Sequence, residues 1–225
     1  DGTRITADAV VFNGDVAALP KGLLGDDVRQ AHPARRGDPR SLSAVTWSLA
    51  AQVEGFPLHY HTVFFGSDYP DEFASIFKRG KVTAEPTVYV CAKGRSEGAV
   101  PTGKEPLFLL VNAPARPFGE AEVSDIEQRT VALLERHGLK IAAGEGDRVL
   151  TRPDNFEALS PGSDGAIYGW PTHGWNGSFQ RQGSRSRIPG LYFAGGTVHP
   201  GPGVPMVALS GRIAAASVRK DLGLR

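Results

Sequence analysis

One stretch limits what this chain can be more than any other. Gly190 to Ala216 reads GLYFAGGTVHPGPGVPMVALSGRIAAA, a short apolar strand running into glycines and prolines and then into a helix of small residues. LYFA is apolar at every position, which suits a strand covered on both faces, as in the parallel sheets of α/β proteins. Gly195 and Gly196 have no side chain, so a ligand can approach the backbone closely where that strand ends. After PGPG, the segment VPMVALSGRIAAASVRKDLG is predicted to be a helix, with Pro205 in its first turn, Arg219 and Lys220 in its last and Gly223 as its stop. Free N–H groups and the positive end of the helix dipole then face the glycine loop. Strand, loop and helix N-terminus together make a cradle for a polar or anionic ligand at the carboxyl edge of a sheet. The small residues Ala208, Ser210, Gly211, Ala214 and Ala215 are expected to let the helix pack close to the sheet. A Gly-Gly pair after a strand is also a common turn, and neither GK[ST] nor GxGxxG occurs in the chain. From the residues alone, both readings stay open.

Length and charge narrow the field. At 225 residues the chain can form one large domain or two modest ones. Twenty-five Lys and Arg against 24 Asp and Glu leave a net charge of +1, which gives no electrostatic hold on nucleic acid. The single cysteine, Cys91 in TVYVCA, excludes an internal disulfide framework and fits a reducing compartment. No apolar run approaches the roughly 20 residues that span a bilayer, so any membrane contact is expected to be peripheral. The only methionine is Met206, and the chain opens on Asp1-Gly2, a pair preferred in tight hairpin turns. A turn is a poor place for a natural chain to begin, so the expectation is the C-terminal part of a longer protein.

Along the chain, TRITADAVVFNGD reads as a strand ending at Asn13-Gly14, DVAALPKGLLG as a short helix broken by Pro20, and AHPARRGDPR as a polar loop. SLSAVTWSLAAQVEG and LHYHTVFFG, joined by GFP, have the β-branched and aromatic pattern of a hairpin. YPDEFASIFKRG places Phe73, Ile76 and Phe77 at helical spacing. TVYVCAKG and PLFLLVNAP are two further strands. SDIEQRTVALLERHGL is predicted to be a helix with Ser124 as cap, Glu127 completing a capping box and Gly138 as stop. The middle of the chain is therefore α+β in pattern. From Thr151 the composition turns to Gly, Ser, Pro and aromatics, and Phe156, Ile167, Trp170, Trp175 and Phe179 argue for order in that segment.

GLYFAGGTVHPGPGVPMVALSGRIAA closely resembles the C-terminal flavin-contacting motif of the bacterial phytoene desaturase family, FAD enzymes of carotenoid synthesis related to the amine oxidases. ADAVVFNGD is similar to the strand that leads out of that family's FAD domain. SLSAVTWSLAAQVEGFPLHYHTVFF, PTVYVCAKGR and THGWNGSFQRQGSRSRIPGLYFAGGTVHPGPGVPM most resemble its hydroxycarotenoid (methoxyneurosporene) desaturases. The likeness covers most of the chain. It implies an α/β plus α+β fold, the C-terminal portion of a two-domain, Rossmann-like, amine-oxidase-related flavoprotein with an antiparallel-sheet substrate domain. Residues 1–18 are then a strand of the FAD-binding domain, 19–150 the substrate-binding domain and 151–225 the return to the FAD-binding domain. The family's dinucleotide fingerprint lies near its N-terminus, so this segment by itself is expected to bind FAD poorly.

The resemblance implies two-electron desaturation of a linear hydroxylated or methoxylated carotenoid, of the 1-hydroxycarotenoid 3,4-desaturase type, with FAD as cofactor. Its partners would be an apolar polyene, a membrane surface and the missing N-terminal part. Its place would be cytoplasmic, peripheral on the inner membrane. Carried over by motif, the backbone of Gly195 and Gly196 approaches the ribityl and pyrophosphate, and Gly203, Val204, Pro205 and Met206 bring the amides of Val204 and Met206 to the flavin ring. Related flavoenzymes have an acidic residue at the position of Gly196, which leaves the part played by Thr197 open. His199 is the candidate catalytic base, since a histidine with an ordinary pKa of about 6.5 beside a flavin can accept the proton lost on desaturation; the alternative is a loop cap.

Other side chains have plainer readings beside functional ones. His59 and His61 share a strand face, but no third ligand is spaced to complete a metal site. His173, Trp170 and Trp175 suit a polyene channel or ordinary loop packing. Arg181, Arg185 and Arg187 read as a solvated face that, beside Phe179, can touch anionic lipid. The competing classes are a carotenoid isomerase or oxygenase on the same scaffold and a non-catalytic binding module.

Overall fold

The computed structural model describes residues 2–33, 40–98, 101–171 and 177–224. In chain order the elements are β1 (Val10–Phe12), β2 (Ser43–Gly55), β3 (His61–Phe64), α1 (Tyr69–Ala74), β4 (Val88–Ala92), β5 (Glu105–Ala113), α2 (Glu120–Arg136), β6 (Leu139–Ala142), β7 (Arg148–Thr151), α3 (Pro153–Leu159), β8 (Leu191–Phe193) and α4 (Val204–Asp221). They divide into two compact units, residues 42–156 and residues 1–41 with 157–225. The fold is mixed α/β with an antiparallel sheet.

That sheet is six-stranded and fills the 42–156 unit, in the order β3-β4-β5-β2-β6, with β7 also pairing β2. β5 shows why these residues form a strand. Glu105, Leu107, Leu109, Val111 and Ala113 are buried while their alternates are not, the period-2 pattern of a sheet with one covered face. The cover is α2, whose Val123, Ile126, Thr130, Leu133 and Leu134 recur at helical spacing and are buried. Val123, Ile126, Leu133 and Leu134 meet Val45, Trp47, Val88, Val90, Leu109, Val111 and Leu139 in one core. Full burial of a side chain such as Ile126 stabilises by roughly 1.5–3 kcal/mol. β6 and β7 run in the same direction along successive stretches of β2, from Leu139 opposite Gly55 to Thr151 opposite Thr46.

Three expectations are corrected here. β2 and β3 do not form a hairpin: β3 pairs antiparallel with β4, His61 opposite Cys91, and the long partner of β2 is β5. Ser124 does not cap α2, which starts a turn earlier at Glu120 with Gly119 as its cap residue. The strand predicted from residue 3 is confined to Val10–Phe12. The strands in TVYVCAKG and PLFLLVNAP form as expected. So does the helix at YPDEFASIFKRG, where α1 continues into a π-helical turn, Ser75–Arg79, stopped by Gly80 at φ 64°.

In the other unit β1 and β8 pair in parallel, Val10 opposite Leu191 and Phe12 opposite Phe193. Phe193, Leu19, Val16, Ala31 and Val198 form its core. Residues 19–41 pack here with the two ends of the chain. Arg40 and Lys21 both grip Asp164 and the Gly162 carbonyl. Burial acts to raise the pKa of Asp164, but the hydrogen bonds from Lys21 and Arg40 outweigh it and hold the carboxyl below its ordinary value. No helix among the described residues is long and apolar enough to cross a membrane.

Candidate functional site

The cradle begins at the carboxyl end of β8. Phe12 O accepts from Ala194 N at 3.1 Å, so the main-chain pairing extends one residue past β8, and the Asn13 side chain then donates Nδ2–H to Ala194 O at 3.0 Å. The chain then turns at Gly195, φ 127°, a conformation open to glycine. A Cβ here would stand 3.1 Å from Asn13 Nδ2. Gly195 N donates to Ser210 Oγ at 3.1 Å, and Ser210 is fully buried on α4. Sequence reasoning counted Ser210 only as a small residue and missed this anchor.

The glycine loop is held from its other side by Arg181. Its guanidinium donates to Gly196 O at 3.1 Å and to Tyr168 O and Trp170 O at 2.9 Å each. Arg181 is 5% exposed. The expectation of a solvated Arg181 is therefore corrected: three backbone carbonyls satisfy a buried cation. Arg185 and Arg187 are exposed, and Arg185 pairs with Asp221 at 2.8 Å. Hydrogen bonds from Arg185 and then Tyr192 hold the Asp221 carboxyl low, and the same contact with Asp221 raises the Tyr192 phenol. Thr197 Oγ1 accepts from Val16 N at 3.4 Å, and its methyl fills the space beside Gly169.

α4 starts at Gly203, φ 105°, which offers no side chain to cap it; Pro205 lies in the first turn. The amides of Val204 and Met206 thus have no acceptor within the helix. A Cβ added to Gly203 would meet nothing within 4 Å, and Val204 is 82% exposed, so the cradle is open where those amides lie. Toward β8 the helix turns Ser210, Ala214 and Ser217, with Ser217 Oγ 2.8 Å from Ser184 Oγ. Ala208 and Ala215, expected to pack against the sheet, are exposed instead. The helix closes as predicted, with Arg219 and Lys220 in its last turn and Gly223 at φ 66°.

His199 stands in the loop between Gly196 and α4. Its main-chain N donates to Gln182 O at 2.8 Å, and its ring stacks on Phe179, with centroids 5.8 Å apart. Phe179 is 74% exposed. The site is open at Gly203, and the first-turn amides of α4 have no acceptor within the helix, an arrangement that fits a polar or anionic group such as the expected flavin cofactor. His173 and Trp175 lie outside the described residues, and Trp170 is buried in its own unit.

The other unit has a second surface. The sheet face opposite α2 carries two cross-strand rows. One is Val63, Tyr89, Leu110 and Thr46; the other is His61, Cys91, Phe108, Ser48 and Val149. Val63, Phe65 and Val149 are exposed on it. A hollow of about 430 Å³ lined by Ser48, Ala50, Lys93, Pro106, Phe108 and Val149 opens beside the second row. His61 is in β3 and His59 just before it. Among the described residues no group of three or more His, Cys, Asp or Glu is placed to hold a metal ion.

No protein-family model matches the chain. It is 52% identical over 226 residues to a hydroxyneurosporene desaturase of Rubrivivax gelatinosus, covering 98% of this chain and 43% of that protein. It is 44% identical over 226 residues to a hydroxyneurosporene desaturase of Cereibacter sphaeroides, covering 100% of this chain and 46% of that protein. To a 4,4'-diapolycopene oxygenase of Methylomonas sp it is 30% identical over 233 residues, covering 99% of this chain and 46% of that protein. The chain spans less than half the length of these relatives.

Proposed function

We propose, from the premise that the chain is a homologue of the hydroxyneurosporene desaturases over nearly all its length, that it forms the flavin-ring and substrate-binding part of an FAD-dependent desaturase. The substrate would be a linear hydroxylated or methoxylated carotenoid, desaturated in the manner of a 1-hydroxycarotenoid 3,4-desaturase. The observation that carries this reading is the open cradle at Gly203, with the unpaired amides of Val204 and Met206 beside it. In this reading the unit of residues 1–41 and 157–225 belongs to a Rossmann-like FAD domain and the unit of residues 42–156 to the substrate domain.

FAD, when bound, supplies a two-electron acceptor for the hydride that leaves a saturated carbon of the polyene. The protein's own residues position and neutralise. The backbone of Gly195 and Gly196, which packs against Asn13, Pro202 and Val207, would approach the ribityl and pyrophosphate at the end of β8. Pro205 fixes the first turn of α4, and the Val204 and Met206 amides would hold the flavin ring with the positive end of the helix dipole behind them. Thr197, already bonded to the Val16 amide, takes the place of the acidic residue found in related flavoenzymes. His199 accepts the proton from the carbon next to the one that loses hydride. The apolar rows on the open sheet face take the polyene. Delivery is from the cytoplasmic face of the inner membrane, which the exposed Phe179 and Arg187 would touch.

Greater identity to the hydroxyneurosporene desaturases than to the oxygenase favours hydrogen removal over oxygen insertion. The decisive experiment supplies a 1-hydroxylated polyene in lipid to the enzyme that carries this chain, and measures flavin content and product mass. Loss of two hydrogens per turnover is expected; gain of an oxygen, or a protein without flavin, overturns the reading. The coding sequence on the amino side of Asp1 is expected to hold a GxGxxG within a βαβ unit, and its absence would likewise remove the flavoenzyme.

A further inference from the structure

On the open face of the sheet, which carries Val63, Phe108, Leu110 and Val149 together with Thr46, Ser48 and Cys91, His61 and Tyr89 form a hydrogen-bonded pair. His61 Nδ1 and the Tyr89 hydroxyl are 2.7 Å apart. Their rings are stacked, with centroids 5.9 Å apart and planes 23° apart, and Tyr60 packs edge-on against His61 at 4.5 Å. The imidazole is thus held between two aromatic rings on an edge strand. Burial first, and then the neighbouring Cys91, push the Tyr89 phenol up to about 12, so it keeps its proton throughout the neutral range. Where the Tyr89 hydroxyl donates to Nδ1, the imidazole carries its proton on Nε2. Among the described residues no protein acceptor takes that Nε2–H, and His61 is exposed.

We infer that His61, oriented by Tyr89, is the hydrogen-bond donor that recognises the single oxygen of an otherwise apolar polyene and so sets the enzyme's preference for oxygenated over plain polyenes. The inference rests on the proposed polyene reading of the sheet face. A donor on the protein serves an alcohol and an ether equally, because both oxygens accept. An acceptor in the same place would take the alcohol and reject the ether. A polar group that must give up water on an apolar face discriminates strongly against a substrate that leaves it unpaired.

The test is competition between a 1-hydroxy polyene, its methyl ether and the unsubstituted hydrocarbon of equal length, in the enzyme that carries this chain. In His61→Phe the kcat/KM ratio of oxygenated to plain polyene should fall about five- to tenfold, the size of one neutral hydrogen bond, and chiefly through KM. His61→Gln retains an N–H donor and should recover part of the ratio. Tyr89→Phe keeps the stacked ring but releases the tautomer, and should lower the ratio two- to threefold. Equal loss on all three polyenes in both His61→Phe and Tyr89→Phe would mean a structural role and would overturn the inference, as would an unchanged ratio. If the unaltered enzyme turns over none of the three, the desaturase reading fails and takes this inference with it. Turnover with an unchanged ratio removes this inference alone.

Discussion

The main-chain N–H of Gly195 donates to the hydroxyl of Ser210 at 3.1 Å, fastening the loop that leaves β8 to the buried side of α4. Ser210→Ala removes the only side-chain acceptor that this amide has among the described residues and leaves a part-buried donor without it. The expected cost is about 1–3 kcal/mol. It should appear in urea as a lower midpoint with an unchanged slope. An unaltered midpoint would show that water replaces the serine and that the loop does not depend on the helix.

Much of this cradle was legible because glycine, proline and terminal cations act locally: Gly203, Pro205, Arg219 and Gly223 mark α4 wherever it packs. Ser210 and Arg181 were not legible, since their partners are main-chain atoms 15 positions or so away along the chain, and nothing in the residue type announces them. The same limit explains the misplaced hairpin. Period-2 alternation in Ser43–Gly55 and His61–Phe64 says which side chains share a face, not which strand lies alongside, and β5 offers β2 nine paired residues. Ser124 matched a capping box by spacing, yet the helix starts a turn earlier, at Glu120, after Pro117, Phe118 and Gly119. The His61–Tyr89 pair needed the β3–β4 register, which no local pattern supplies.

Arg95 and Glu105 form a nearly buried pair, with side chains 9% and 2% exposed and the guanidinium 2.6 Å from the carboxylate. Both Nε and Nη2 of Arg95 donate to Glu105, and the contact raises the Arg95 pKa. Arg95→Met strands a carboxylate at the start of β5 and should destabilise by about 3–5 kcal/mol. The double variant Arg95→Met with Glu105→Leu should recover most of that loss. Chemical denaturation of the three variants decides the matter. A double variant no better than Arg95→Met would indicate that lost packing, not a stranded charge, is responsible.

Acid should loosen the contact between α2 and the turn before β4. Glu85 is held at a pKa of about 2 by a hydrogen bond from the Ser67 side chain first and by Arg136, 2.8 Å away, next. A depressed carboxylate pKa contributes stability that is fully present above the ordinary value of about 4.5 and is lost as pH falls through about 2. The sensitive window therefore runs from pH 4.5 down to 2. Carbon-detected NMR titration should place the Glu85 midpoint near 2, and Arg136→Met should move it up toward 4.5. A midpoint near the ordinary value in the unaltered protein would mean that the Arg136 contact does not persist in solution.

The two sides of the cradle separate by function. Gly203 adopts φ 105°, and Gly203→Val imposes a branched side chain both on that conformation and on the space assigned to the cofactor. Flavin should be lost from the enzyme while the remainder of the fold survives, as read by flavin absorbance and far-UV circular dichroism on the same sample. His199→Ala leaves the Gln182 hydrogen bond intact, because the main-chain N makes it, and removes the ring that stacks on Phe179. Flavin should stay bound. If the imidazole takes the proton lost on desaturation, turnover per bound flavin falls about a hundredfold or more. Loss of a ring contact alone would instead cost on the order of 1 kcal/mol in stability, with turnover nearly intact. Retention of flavin by Gly203→Val would put the cofactor elsewhere than α4, and normal turnover in His199→Ala would remove the histidine from the chemistry.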